Sequence, residues 1–216
     1  MSLESPDKIK LLSSSKMCKK YTPDLFFLDK RKYIHSSTIV EWFKSLHPHY
    51  ESMNIQFKKK LESNPKISRV CRLGPNPDAC YTLSLTENQE KFNYLITESH
   101  DSVTKKRKSG AVDINYTLDD ENLILEACQC THEEEYQRIL NAIKWQVSRQ
   151  TKKSPTLLPL SISLSENLMH GIPFTKKISI KNNIGNRIFA VQVLYYMNNS
   201  EKQEVKLIDF LIKNIA

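Results

Sequence analysis

The stretch from residue 131 to residue 147 constrains the fold more than any other part of this chain. Thr131 followed three residues later by Glu134 forms a capping box, and Tyr136, Ile139, Leu140, Ile143 and Val147 then recur at the helical period on one face. A helix with a single apolar stripe needs a surface that buries it, and the flanking sequence supplies strands. Ahead of the helix, Val112, Ile114, Tyr116 and Leu118 alternate, and a second run over residues 123–130 follows a polar turn. Behind it, Leu158, Leu160, Ile162 and Leu164 alternate, and strands at 177–181 and 187–196 are separated by Asn182, Asn183, Gly185 and Asn186. Val205, Ile208, Leu211, Ile212 and Ile215 return to a helical period. These patterns predict a small α+β or β-sandwich-like domain over residues 111–216. Trp145 lies about half a turn from the apolar stripe, which makes it a candidate partner-binding residue.

The first half reads differently. Residues 1–20 carry no sustained apolar period and read as a flexible basic arm. Leu25 to Leu28 suggest a short helix. A second helix over 35–46 has Thr38 and Glu41 as a capping box, with Ile39, Trp42, Phe43 and Leu46 on its apolar face and Pro48 beyond its end. Met53, Phe57 and Leu61, spaced four apart, suggest a third helix that displays Lys58, Lys59 and Lys60. Two runs, 67–73 and 79–85, flank the turn residues Gly74, Pro75, Asn76, Pro77 and Asp78 and read as a hairpin. A helix over 87–97 with Phe92, Leu95 and Ile96 inward completes a unit at 21–97. Residues 98–110 are polar and end in Gly110, as an exposed linker would.

Charge divides the chain along the same line. The net charge is +8, and residues 1–110 hold 20 Lys and Arg against 12 Asp and Glu, whereas residues 111–216 hold 12 of each. A basic half beside a neutral half predicts a polyanion partner for the first and a protein partner or homodimer for the second. Lys105, Lys106, Arg107 and Lys108 are a nuclear-import candidate, so a nuclear location is expected. The apolar runs fall short of a membrane span and the N-terminal residues lack the apolar block of a secretory signal, which predicts no membrane association.

Three helices followed by two strands is the order of a winged-helix domain. Trp42, Leu46, Pro48 and Tyr50 resemble a forkhead stretch, and Phe57, Leu61, Arg69–Val70 and Tyr81–Thr82–Leu83 extend a forkhead-like or linker-histone-like resemblance over residues 21–85. Where a forkhead helix carries Asn-Ser-Ile-Arg-His, this chain has Lys58-Lys59-Lys60-Leu61-Glu62, so the resemblance implies phosphate binding and not base reading. The implied nucleic-acid-binding residues are Lys58, Lys59, Lys60, Lys66, Arg69 and Arg72, with DNA favoured over RNA. The alternative is an assembly subunit whose winged helix serves protein contact alone. Residues 171–193 resemble the β-sandwich modules of Armitage-type RNA-silencing helicases, which would also imply a binding module.

Catalytic motifs are absent. There is no glycine-rich phosphate loop, no Gly-X-Ser-X-Gly elbow and no His-Glu-X-X-His helix. Cys128, Cys130 and His132 are close enough to raise a metal site, but they lack the spacing and second ligand pair of structural zinc, and small buried thiols explain them. The expectation is a non-enzymatic α+β protein with no cofactor, no metal and no small-molecule substrate.

Overall fold

A computed structural model of the chain describes residues 19–28, 30–108, 115–119, 121–128, 132–165, 174–197 and 204–215. The first half contains β1 (Lys20–Tyr21), β2 (Phe26–Leu28), α1 (Ser36–Leu46), β3 (Tyr50–Phe57), β4 (Pro65–Val70), β5 (Tyr81–Glu87), β6 (Glu90–Glu98) and β7 (Lys105–Arg107). The second contains β8 (Tyr116–Asp119), β9 (Asn122–Leu125), α2 (His132–Thr151), β10 (Leu157–Ser165), β11 (Phe174–Ile184), β12 (Ile188–Met197) and β13 (Glu204–Asn214). Eleven of these strands form one antiparallel sheet in the order β1-β4-β6-β5-β3-β10-β13-β12-β11-β9-β8, while β2 and β7 pair separately in parallel.

Each half follows one plan. A helix leads into a strand at the middle of the sheet, and later strands stack outward from it. The two middle strands meet antiparallel, with Ile55 opposite Ile162 and Met53 opposite Leu164, all four buried. On the second side β11, β12 and β13 form a meander, turned at Gly185 and Asn186, both with φ near +60°. On the first side β6 inserts between β5 and β4 and pairs with both. Asn88 and Gln89, at φ +50° and +64°, make the tight turn that brings β6 back along β5.

Both helices lie over a shared core. From α1, Ile39, Val40 and Phe43 are buried; from α2, Tyr136, Ile139, Ala142, Ile143 and Val147 are. They belong to the same apolar cluster as Met53, Ile55, Ile162 and Phe210 of the sheet. Burial of each large apolar side chain contributes about 1.5–3 kcal/mol. The helices also touch each other, so the start of α1 faces the body of α2.

This architecture replaces the expected winged-helix-like N-terminal domain followed by a small α+β or β-sandwich-like domain. The supposed third helix is β3. Met53 and Phe57 are four apart, but Met53 and Ile55 also alternate, and in the middle of a sheet that period of two buries them together. The supposed helix over 87–97 is β6, with Tyr94 and Ile96 inward. The two runs taken as a wing do not pair with each other, because β6 separates them. Leu25 to Leu28 end in a short strand and not a helix. The final stretch is β13, held by β10 on one side and β12 on the other, with Ile208, Phe210 and Ile212 buried and Leu211 exposed. The forkhead-like and helicase-module resemblances fall with these assignments: β11 and β12 are a hairpin within the large sheet and not part of a separate sandwich. The two amphipathic helices at 35–46 and 131–147 do appear, as α1 and α2.

Candidate active site

The start of α1 is unusual in its chemistry. His35 is the N-cap, in extended conformation at φ −74° and ψ 149°, and its side chain accepts the Ser37 N–H at 3.3 Å. Thr38, expected as the cap, lies inside the helix. Ile34 is held by its N–H donating to the Leu61 carbonyl at 2.8 Å, which places His35 at the end of a pinned segment. The Ser37 hydroxyl stands 2.8 Å from His35 Nδ1, and Gln137 reaches across from α2 with its Nε2 3.2 Å from Nδ1 and 3.3 Å from Ser37 Oγ. Because a backbone N–H can only donate, Nδ1 is the acceptor, and the neutral ring carries its proton on Nε2. Tyr136 also comes from α2 and donates to Ser36 Oγ at 3.4 Å. Burial pushes the Tyr136 phenol far above its ordinary range, so it remains a donor.

Two cavities adjoin at this point. One, of about 220 Å³, runs between the two helices and β10 and includes Arg31, Gln137, Asn141 and Lys144 in its wall. The other, of about 140 Å³, lies toward the end of β3 and includes Phe57, Tyr81 and Lys58, Lys59 and Lys60. Tyr33, His35, Ser36, Leu157 and Pro159 line both. Among the described residues neither wall contains an Asp or Glu. Of the first amides of α1, Ser37 donates to His35 Nδ1 and Thr38 to the His35 carbonyl at 3.1 Å, which leaves the Ser36 N–H at the positive end of the helix dipole, where a carbonyl oxygen or an anion is favoured.

The residues expected to bind nucleic acid fall on two separate strands and the segments that follow them. Lys58, Lys59 and Lys60 are exposed at the end of β3 on the rim of the smaller cavity, with the Lys58 and Lys59 N–H groups donating to the Cys80 carbonyl. Lys66 and Arg69 lie on β4, separated from β3 by β6 and β5; Arg69 stacks on Phe92 at 4.4 Å, and Arg72 is exposed beyond the strand. Of the import candidate, Lys105, Lys106 and Arg107 form β7, Lys105 pairs with Asp24, and Lys108 is exposed. Trp145 is half-buried, 4.6 Å from Tyr116 and under Arg149. Cys128 is exposed, and Cys130 and Thr131 lie outside the described residues, as does the arm through residue 18. Among the described residues no group of three His, Cys, Asp or Glu is placed to hold a metal ion.

Two other polar clusters are buried. At the far end of α1, His47 Nδ1 is 2.7 Å from Glu87 and its Nε2 is 2.7 Å from the Tyr94 hydroxyl, while the His49 N–H donates to Glu87. Burial raises the Glu87 carboxyl, but the hydrogen bonds from His47 and His49 outweigh it and leave its pKa lowered. Near the start of α2, Lys176, 2 % exposed, pairs with Glu135, which also meets Arg138 at 3.3 Å. Neither cluster borders the two cavities described above.

Solved structures share this architecture. A protein described as a thioesterase II candidate from Thermobifida fusca YX superposes with a TM-score of 0.52 at 10 % identity, over 91 % of this chain and 92 % of that one. A tesB protein of Mycobacterium avium subs paratuberculosis gives 0.55 at 5 % identity, over 91 % and 93 %. At such identity the likeness is one of fold: the hot-dog fold, a mostly antiparallel sheet wrapped about a long helix, present here in two copies sharing one sheet. Neither a protein-family model nor a curated protein sequence matches the chain. The likeness overturns the expectation of a non-enzymatic, DNA-favouring nucleic-acid binder, which rested on a winged helix that does not exist. The lysines of its supposed recognition helix instead border a cavity.

None of His35, Ser36 or Gln137 was singled out in the sequence. The one available signal was the run His35-Ser36-Ser37-Thr38, four cap-competent or polar residues at a helix start. Their partner Gln137 is about a hundred positions away, beyond the reach of any local pattern.

Proposed function

We propose that this chain is an acyl-thioester hydrolase, acting on a small-molecule thioester where nucleic acid and no small-molecule substrate had been expected. The observation that carries the reading is the placement of His35 and Ser36 at the N-terminus of α1, at the junction of two cavities that can accept the two sides of a scissile bond. The Thermobifida fusca neighbour, described as a thioesterase II candidate, supports the same class.

The chemistry suits the groups present. Water attacks the carbonyl carbon, and the carbonyl oxygen, gaining negative charge, accepts from the Ser36 N–H at the positive end of the helix and from the His35 Nε2–H. The carbon–sulfur bond then breaks. The sulfur leaves as a thiolate and takes up the proton that water gives up, so the products are one carboxylic acid and one thiol. A thiol with a pKa of about 8.5 leaves readily, so carbonyl polarisation is the main demand on the site, and no carboxylate is needed in the cavity walls. Gln137 holds His35 in the tautomer this requires.

Thiol release from acyl-CoA and acyl-cysteamine thioesters tests the proposal, with the matching oxygen esters as controls. Ser36→Pro and Ser36→Ala both remove the hydroxyl that accepts from Tyr136, and only the proline also removes the N–H, so their difference isolates the amide donor; proline is tolerated at the first position of a helix, and His35 already has the extended conformation a following proline demands. Ser36→Pro should lower kcat by about 10²–10³, and Ser36→Ala, which keeps the amide, should lower it far less. Absence of thiol release from any chain length, or equal turnover by the two variants, would refute the assignment.

A further inference from the structure

Three segments that close one end of the sheet are joined through their backbones. The Ile215 N–H donates to the Thr156 carbonyl at 3.0 Å and the Asn214 N–H to the Arg187 carbonyl at 2.7 Å, so the loop after α2, the end of β13 and the β11–β12 turn meet there. Two of the most exposed large apolar side chains among the described residues stand at this end, Ile184 at 60 % and Ile215 at 50 %. Ile184 opposes Ile188, which in turn opposes Lys213. Leu211, Lys213 and Ile215 alternate on the outward side of β13, with Ile212 buried between them. Cations surround the isoleucines: Lys152 and Lys153 lead into the loop, Arg187 ends the turn and Lys213 precedes Ile215, all four exposed. Among the described residues none of the four is in an ion pair. The sequence gives the reason, since residues 136–165 and 174–197 contain no Asp or Glu and residues 205–216 only Asp209. Asp209 lines a hollow of about 220 Å³ with Lys181, farther along the same face, and offsets that lysine.

We infer that this end of the sheet docks on the surface of an anionic bilayer. Exposed aliphatic side chains gain by entering the acyl boundary, and the unpaired cations around them gain from the anionic headgroups above it. A second copy of the chain fits poorly, because a twofold contact would set the four cations of one copy against those of the other. An acidic protein fits less well than lipid. The centres of protein interfaces are enriched in aromatic side chains and depleted in lysine, whereas three of these four cations are lysines and the exposed apolar residues are all aliphatic. Among the described residues no helix is long and apolar enough to cross a membrane, and docking of this kind needs none. Pro155 and Thr156 of the same loop line the larger cavity, so a bilayer bound here lies beside the candidate site.

Cosedimentation of the full chain with vesicles tests this by binding alone, so its outcome is separate from that of the thioester assay. Partition onto vesicles with about one third phosphatidylserine should exceed partition onto pure phosphatidylcholine about tenfold or more, and should fall as salt rises. Each cation contributes about fivefold, so Lys152→Gln, Lys153→Gln and Arg187→Gln combined should lower it about a hundredfold. Ile184→Ser combined with Ile215→Ser should lower it about tenfold. Lys66→Gln, Arg72→Gln and Lys91→Gln remove the same charge from the other flank of the sheet, on or beside β4 and β6, with β5, β3 and β10 between; they should change it less than about twofold. All the substituted side chains are exposed, so each variant should keep the parent Tm. Equal partition onto the two vesicle types overturns the inference, and so does an equal loss in the other-flank variant, which would make net charge the cause. A dimer that the serine substitutions dissociate, without vesicle binding, assigns the face to a second copy; capture by immobilised polyglutamate, without vesicle binding, assigns it to an acidic protein. Either result overturns the inference.

Discussion

Replacing His35 separates two roles that the same ring performs, and the size of each follows from the structure. As the N-cap it accepts the Ser37 N–H, and with Gln137 it ties α1 to α2. In His35→Ala the lost cap costs about 1 kcal/mol and the lost cross-helix hydrogen bond about another. For a chain of 216 residues about 2 kcal/mol lowers Tm by about 4–8 °C. Asparagine is among the best caps and places an oxygen where Nδ1 now sits, so His35→Asn should retain stability to within about 0.5 kcal/mol. It has nothing to replace Nε2. If that N–H polarises the thioester carbonyl, kcat should fall about 10²–10³ in both variants alike, while only the alanine variant loses stability. Calorimetric Tm and thiol release, measured on the same preparations, read the two effects separately. Full turnover by His35→Asn would refute the role given to Nε2, and an alanine variant as stable as the parent would refute the capping argument.

Three more outcomes are expected. Phe43→Ala removes a fully buried ring that packs 4.8 Å from Trp42 and 5.0 Å from Tyr94, and should cost about 3–5 kcal/mol in urea unfolding; a change under about 1 kcal/mol would mean that α1 is not seated as described. The lowered pKa of Glu87 contributes stability that is fully present above its unfolded value near 4.3 and is lost as pH falls through the folded value. Glu87→Gln should therefore flatten the decline of Tm below about pH 4, and an unchanged acid limb would contradict the His47–Glu87 contact. Lys176→Met removes the buried ammonium from the Glu135 carboxylate and should cost about 2 kcal/mol, part of which Glu135→Gln should restore in the double variant; strict additivity would show that the two side chains are not coupled.

The lysines that suggested a recognition helix show one kind of error. Lys58, Lys59 and Lys60 follow a strand and line the rim of a cavity, and no helix displays them. Leu211 illustrates the other kind of error. It shares a helical period with Ile208 and Ile212 on paper, yet it is 38 % exposed on a strand whose Ile208 and Ile212 both point inward.

By itself the sequence determined α1 and α2, because each has an apolar stripe long enough to exclude a period of two, although the cap of α1 is His35 and not Thr38. It also determined β5 and the strands from β8 to β12, where strict alternation or turn residues left one reading. Tertiary structure decided β3, β6 and β13. In each of these, apolar residues satisfy both periods over a short run, and hydrogen bonding to strands distant in the chain settles the choice by supplying the backbone partners a helix would have found locally. The candidate site belongs to that second category: His35 and Gln137 share no local pattern, and only the packing of α1 against α2 brings them within hydrogen-bonding distance.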